Sequence, residues 1–226
     1  MKKAAIYHFT NKSEKRPSVY QKQLEELTSF AYKKGYKDVD IYCDMSLKKS
    51  EHHELDRLFS NVADYDAVIT KDFYHISKNT SKCFSDLTEI ASKGIPTITM
   101  KDGTFFTSPA PLKKKLKVAT YSCFFGTQKE MDEVMSIRSG VFSLFCDKKT
   151  RWIIEDMYFD RCNRQSGLGI QVELDKFIEN KKRYDLLLVH NFNDIRWRTT
   201  EFAKIRNKIG MDIYSLQEGF WEYNTN

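Results

Sequence analysis

The chain has 226 residues, 41% of them hydrophobic and 30% charged, which is the composition of one or two globular domains and excludes disordered and fibrous classes. The net charge of +6 is spread thinly: residues 1–112 hold 17 basic against 15 acidic side chains and the remainder 20 against 16. Neither half is a polycation of the kind that wraps nucleic acid, and the lysine clusters at 33–37, 113–117 and 181–183 read as solvated surface.

Met1 to His8 is apolar for only a few positions and has no small-residue cleavage site, so it does not read as a signal peptide. No run approaches the roughly 18–20 apolar residues of a membrane span. The cysteines at 43, 83, 123, 146 and 162 contain no C-x-x-C pair. A cytoplasmic protein with reduced thiols and no membrane partner is expected.

In chain order, Ala4 to Phe9 is a short apolar segment that predicts a buried strand. Ser18 to Gly35 spaces Val19, Leu24, Leu27, Phe30 and Ala31 as a helix and closes on Lys-Lys-Gly. Val39 to Cys43 predicts a second strand, and Glu51 to Ala63 a second helix. Ala67 to Thr70 predicts a third strand, Ser81 to Lys93 a third helix, and Ile95 to Met100 a fourth strand. After Thr107-Ser108-Pro109-Ala110-Pro111-Leu112 the chain restarts.

Lys3 to Tyr7 returns as Lys117 to Tyr121, and Ile41-Tyr42-Cys43-Asp44-Met45 as Ile153-Ile154-Glu155-Asp156-Met157. Leu55 to Ile69 is echoed by Leu174 to Leu188, and Gly94 to Gly103 by Gly210 to Gly219. The offsets of 114, 112, 119 and 116 differ only by small insertions, as expected of two diverged copies. The division is 1–108, a linker at 109–116, and 117–226. Strand–helix alternation makes each copy an α/β domain of three layers, a small, mostly parallel sheet flanked by helices. Ligands in such sheets gather beyond the carboxyl ends of the strands. In copy one that selects His8–Asn11, Asp44–Ser46 and Lys71–Lys78, and in copy two Ser122–Phe125, Asp156–Tyr158 and His190–Arg198.

The opening Ile6-Tyr7-His8-Phe9-Thr10-Asn11 and the later Phe73-Tyr74-His75-Ile76-Ser77-Lys78-Asn79 resemble two signatures of the serine recombinase (resolvase and invertase) catalytic domain, I-Y-x-R-x-S and D-R-L-x-R-N. The similarity covers residues 3–104 and, more faintly, 117–219. The resemblance implies two tandem resolvase-like domains and a metal-free transesterification. In that reaction a serine hydroxyl attacks a DNA phosphodiester while arginines neutralise the phosphate, a preorganised electrostatic effect. By the same resemblance Asn11 stands at the nucleophile position, Phe9 at an arginine, and Tyr74-His75 at an Asp-Arg pair. Lys78 replaces an arginine and lacks its bidentate fork. In copy two Phe125 falls at the nucleophile position and Asn193-Asp194-Ile195-Arg196-Trp197 replaces the basic signature.

The resemblance therefore implies a catalytically inactive relative with a structural or regulatory role, acting by protein–protein contact or weak, charge-driven DNA association. Its partners would be duplex DNA, another protein or a further copy of itself, with a mobile-element setting implied by the resemblance alone. Asn11, Asp44, His75 and Lys78 are the vestigial pocket, with no cofactor and no metal. An alternative from another class uses these residues to bind a small anionic ligand or nucleotide; a third keeps phosphodiester chemistry at Thr10 or Ser13. Asp44 and Asp156 are expected at corresponding strand ends, as caps of the following loop. Glu51-His52-His53-Glu54 lacks metal-ligand spacing, and Gly167-Leu168-Gly169 lacks the third glycine of a phosphate loop. Phe220, Trp221 and Tyr223 follow the last predicted strand and are expected at the seam between copies or on a partner surface.

Overall fold

The computed structural model describes residues 2–10, 17–45, 53–106, 112–162, 171–196 and 198–223. The chain divides into two compact units, one running to residue 107 and the other from 108 to 223.

The first unit contains β1 (Lys3–Thr10), α1 (Pro17–Lys33), β2 (Asp38–Met45), α2 (His53–Asn61), β3 (Ala67–Thr70), α3 (Thr80–Ser92), β4 (Thr97–Thr99) and β5 (Thr104–Phe105). The sheet order is β2-β1-β3-β4-β5, parallel except for β5. Seven of the eight residues of β1 are buried, because a central parallel strand is covered on both faces. Leu27 and Ala31 of α1 pack on Ala4, Ile6, Ala67 and Ile69. Right-handed crossovers in this strand order put α1 on one face and α2 and α3 on the other. The Lys-Lys-Gly stop works as expected. Gly35 takes φ 90°, and the Tyr36 N–H reaches back to the Ala31 carbonyl at 3.1 Å, while the Tyr36 ring joins the core.

The second unit contains β6 (Lys117–Phe125), α4 (Gln128–Lys149), β7 (Ile153–Cys162), α5 (Val172–Asn180), β8 (Leu186–Val189), α6 (Thr199–Ile209), β9 (Ile213–Ser215) and β10 (Gly219–Trp221). Its order, read from the other edge, is β7-β6-β8-β9-β10, again with only the last strand antiparallel. Both units are thus α/β, with mixed sheets flanked by helices. Phe142 and Cys146 of α4 pack on Val118, Leu186 and Leu188.

Three expectations need correction. Each unit ends in a short antiparallel hairpin strand, β5 or β10, that hydrophobic periodicity did not reveal because it is only two or three residues long. Phe220 and Trp221 belong to β10 and are buried within the second unit. Trp221 stacks on Phe202 at 5.5 Å and carries the Arg206 guanidinium at 4.0 Å. Finally, Cys123 is disulfide-bonded, so the thiols are not all reduced; its partner's side chain lies outside those described. Cys43, Cys83 and Cys146 are free. Spacing along the chain could not show this, since a disulfide pairs cysteines by proximity in space.

Candidate functional site

At the carboxyl end of the first sheet, successive residues of β1 point to opposite faces. Tyr7 donates its hydroxyl to Asp44 at 2.9 Å, and Asp44 also accepts the backbone N–H groups of Glu54 and Leu55 at 3.0 and 3.1 Å. These are orphan donors of the first turn of α2, so Asp44 caps that helix. Burial, and then the Asp44 charge, push the Tyr7 phenol well above its ordinary value.

His8 faces the other way, toward α1. Its ring lies 5.2 Å from that of His75 and 5.9 Å from that of Tyr20. His75 Nδ1 is 2.5 Å from an oxygen of Asp72, and Lys101 approaches the same carboxylate at 3.7 Å. Burial alone would raise the Asp72 carboxyl, but the His75 hydrogen bond and the charges of Lys101 and Lys71 hold it below the usual range. Tyr20 also bonds Cys43, and burial together with that bond pushes its phenol up to about 12. The ammonium of Lys78 sits over the rings of Tyr74 and Phe9, 5.4 and 5.9 Å from their centroids.

The sequence-predicted residues are therefore separated. His75 and Lys78 stand on one loop, Asp44 is held on the α2 face of the sheet and His75 against His8 on the α1 face. Asn11 lies outside the described residues, as do Ser13, Arg16, Ser46, Glu51, His52 and Gly167 to Gly169. Sequence reasoning missed Tyr20 and Cys43 and took in Asp72 only as part of Lys71–Lys78; a histidine alternating with Ala4 and Ile6 on a buried strand was the available signal. An open groove of about 570 Å³ between α1 and β2, lined by Tyr20, Leu24, Tyr32 and Ile41 among others, includes none of Asp44, His75 and Lys78. Among the described residues, no group of three or more His, Cys, Asp or Glu could hold a metal ion.

The second unit repeats the capping arrangement with a different residue from the one expected. β7 runs on to Cys162, and Asp160 accepts from Tyr121 Oη and from the N–H groups of Glu173 and Leu174, each at 3.0 Å. Asp160 is therefore the counterpart of Asp44, at offset 116. Asp156 instead matches Asp40: it accepts from Tyr184 at 2.5 Å as Asp40 does from Tyr65 at 2.8 Å. The expected echo of Ile41–Met45 in Ile153–Met157 was four residues out of step, since local likeness of short apolar strands does not fix register.

The rest of this crest differs from its counterpart. Asp194, at the place His75 occupies in the first unit, accepts from Arg138 of α4 with both oxygens at 3.0 Å. Gln171 donates to Tyr121 Oη at 2.8 Å and to the Ile195 carbonyl at 3.1 Å. Burial raises the Asp194 carboxyl to about 6 even though Arg138 opposes it. Burial, and then the charge of Arg138, lower His190. Arg196 turns back to its neighbour's carbonyl, and Arg198 is exposed beside Glu201. The arginine that reaches this crest thus comes from a helix that the motif comparison never touched.

The family model described as "Resolvase, N terminal domain" matches residues 12–130. The chain is 19% identical to the N-terminal catalytic domain of TP901-1 integrase, covering 45% of this chain and 79% of that one with a TM-score of 0.39. It is 14% identical to a resolvase family site-specific recombinase from Streptococcus pneumoniae, covering 65% and 89% with a TM-score of 0.41. A periplasmic solute binding protein from Actinobacillus succinogenes with bound D-allose is 12% identical, covering 95% and 77% with a TM-score of 0.31. No curated protein matches.

Proposed function

Since this chain belongs to the resolvase N-terminal domain family, we propose that it is a non-catalytic member of that family with a structural or regulatory role, exerted through protein–protein contact or weak DNA association. In this reading it is built of two degenerate domains, 1–108 and 117–226, joined at 109–116. Its vestigial-pocket residues are Asn11, Asp44, His75 and Lys78, of which Asp44 also caps α2.

The observation that carries the reading is the chemistry of the first crest. Attack on a phosphodiester without metal needs an activated hydroxyl and several positioned cations. The described positions here hold Phe9, Tyr74 and His75, and the Lys78 ammonium lies on two aromatic rings. Each missing donor of this sort removes about 3–4 kcal/mol of transition-state stabilisation, and several are missing together. In the second crest Arg138 is already neutralised by Asp194. The repeated hydrogen-bond pattern around Asp44 and Asp160 supports the tandem reading.

Suicide DNA substrates, in which a cut strand cannot be rejoined, test this directly. The expected result is no covalent protein–DNA species on a denaturing gel. An adduct that maps to Thr10, Ser13 or any other hydroxyl overturns the proposal.

A further inference from the structure

The outward face of α4 is apolar where a solvated helix should be polar. Ile137, Val141 and Leu144 are exposed, at 66%, 40% and 53%, and Val134 is partly so. Their spacing of 3, 4 and 3 residues puts all four on one stripe of the helix, as in the seam of a coiled coil. Glu130 continues the stripe four residues before it, and Lys148 four residues after it.

The first unit supplies an internal control. When α1 and α4 are matched on their core residues, Leu27 and Ala31 with Phe142 and Cys146, the positions of Ile137, Val141 and Leu144 fall on Lys22, Glu26 and Ser29. The same fold position is therefore compatible with a polar face, and packing within the second unit does not require the apolar one. Exposed apolar stripes of this kind mark interaction surfaces.

The stripe is also its own complement. Reversing the helix about Ser139 exchanges Val134 with Leu144, Ile137 with Val141, and Glu130 with Lys148. A two-fold axis there places each apolar side chain opposite another, and Glu130, the acidic residue of the first turn, opposite Lys148 in the last turn of the other helix. That is the geometry of an isologous contact. We propose that two copies of this chain associate through α4 in an antiparallel seam centred on Ser139. The seam deepens the protein-contact part of the function proposed above and rests on it. The patch is short, about 33 Å of helix at most, so the dimer is of the weak, reversible class.

Sedimentation equilibrium over a range of concentrations tests this on the full chain. The wild type is expected to show a monomer–dimer equilibrium, and Ile137→Glu with Leu144→Glu to weaken it at least about tenfold. Lys148→Glu alone should weaken it by less, since it acts only at the ends of the seam. Because all three positions are exposed, the far-UV circular dichroism and Tm of the variants should match the wild type. For orientation, a mixture of Ile137→Cys and Val141→Cys chains is expected to give 137–141 cross-links by peptide mass spectrometry. A wild type that stays monomeric, a dimer indifferent to the glutamates, or 137–137 cross-links in the Ile137→Cys chain alone would each overturn the seam. The DNA adduct assay reads separately: an adduct formed by a chain that still dimerises removes the non-catalytic reading and leaves the seam, whereas a monomer without adduct does the reverse.

Discussion

The two units share a frame and differ at their crests. In the first, the N–H of Lys3 donates to Asp66 and that of Phe73 to Asp102; in the second, the N–H of Lys117 donates to Asp185 and that of Phe192 to Glu218. The tyrosine pairs Tyr42–Tyr65 and Tyr158–Tyr184 are both 2.7 Å apart. Above these matched bonds, one crest holds two stacked imidazoles beside Asp72 and the other a guanidinium locked on Asp194. The bonds that recur tie buried or strand-terminal backbone groups whose loss leaves a donor unsatisfied at about 1–3 kcal/mol each. The crest side chains answer to one another rather than to these backbone groups, so they differ between the units while the frame is the same.

Breaking the second crest should have the largest effect. Arg138→Met leaves the buried Asp194 carboxylate without its cation, a change of about 3–5 kcal/mol at neutral pH. Asp194→Asn added to Arg138→Met should recover most of it, because the buried charge is gone. The pH dependence gives a second reading. The folded Asp194 carboxyl, near 6, lies above its unfolded value, so the folded state holds this proton more tightly. Its contribution is complete below the unfolded carboxylate range and is lost as pH rises through about 6. Relative to the wild type, Asp194→Asn should therefore flatten the fall in stability between about pH 4 and 6. Urea unfolding at several pH values checks both; a single Arg138→Met variant as stable as the wild type removes the idea that this pair defines the second crest.

The frame itself is probed by Asp44→Ala and Asp160→Ala. Each removes the acceptor for two helix-start N–H groups and one tyrosine hydroxyl, an expected loss of about 2–3 kcal/mol in the unit concerned. The two losses should agree within about 1 kcal/mol. Measured by denaturant unfolding, a near-zero effect at either residue breaks the equivalence of the units.

Much of this frame was legible in the sequence, and the reasons are local. Ala67 to Ile69 is an unbroken apolar run between polar turns, so the strand there was read to within a residue. Asp44 follows an alternating strand and precedes a helix, which is enough to suggest a cap. Its counterpart in the second unit was misplaced because Ile153–Met157 looks like Ile41–Met45, and the pairing of Tyr121 with Tyr158 across the sheet fixes the true register. Tyr20 and Arg138 were out of reach for a different reason. Each comes to its crest from a helix, Tyr20 to His8 across a sheet face and Arg138 to an Asp194 that lies 56 residues further along the chain, and no motif spacing records such a meeting. The strand order fixes where the crest of an α/β sheet lies; the side chains gathered there depend on tertiary packing.

Lys78 separates the two crests by the smallest and most specific effect. It is exposed and makes only ring contacts among the described interactions of its ammonium, so Lys78→Ala should change stability by no more than about 0.5–1 kcal/mol. Its larger effect is expected on the DNA association proposed above. If weak binding runs over the first crest, each neutralised phosphate adds about 0.9 to the slope of log K against log salt. Lys78→Ala should then lower that slope by about 1 and weaken binding alike for unrelated duplexes. Arg198→Ala, in the second unit, should lower the slope by less, because Glu201 at 3.8 Å already offsets part of the charge of Arg198. Fluorescence anisotropy with two unrelated duplexes between about 50 and 200 mM salt reads both variants. Equal loss of slope in the two would place the contact on both units, and loss only with Arg198→Ala would move it to the second.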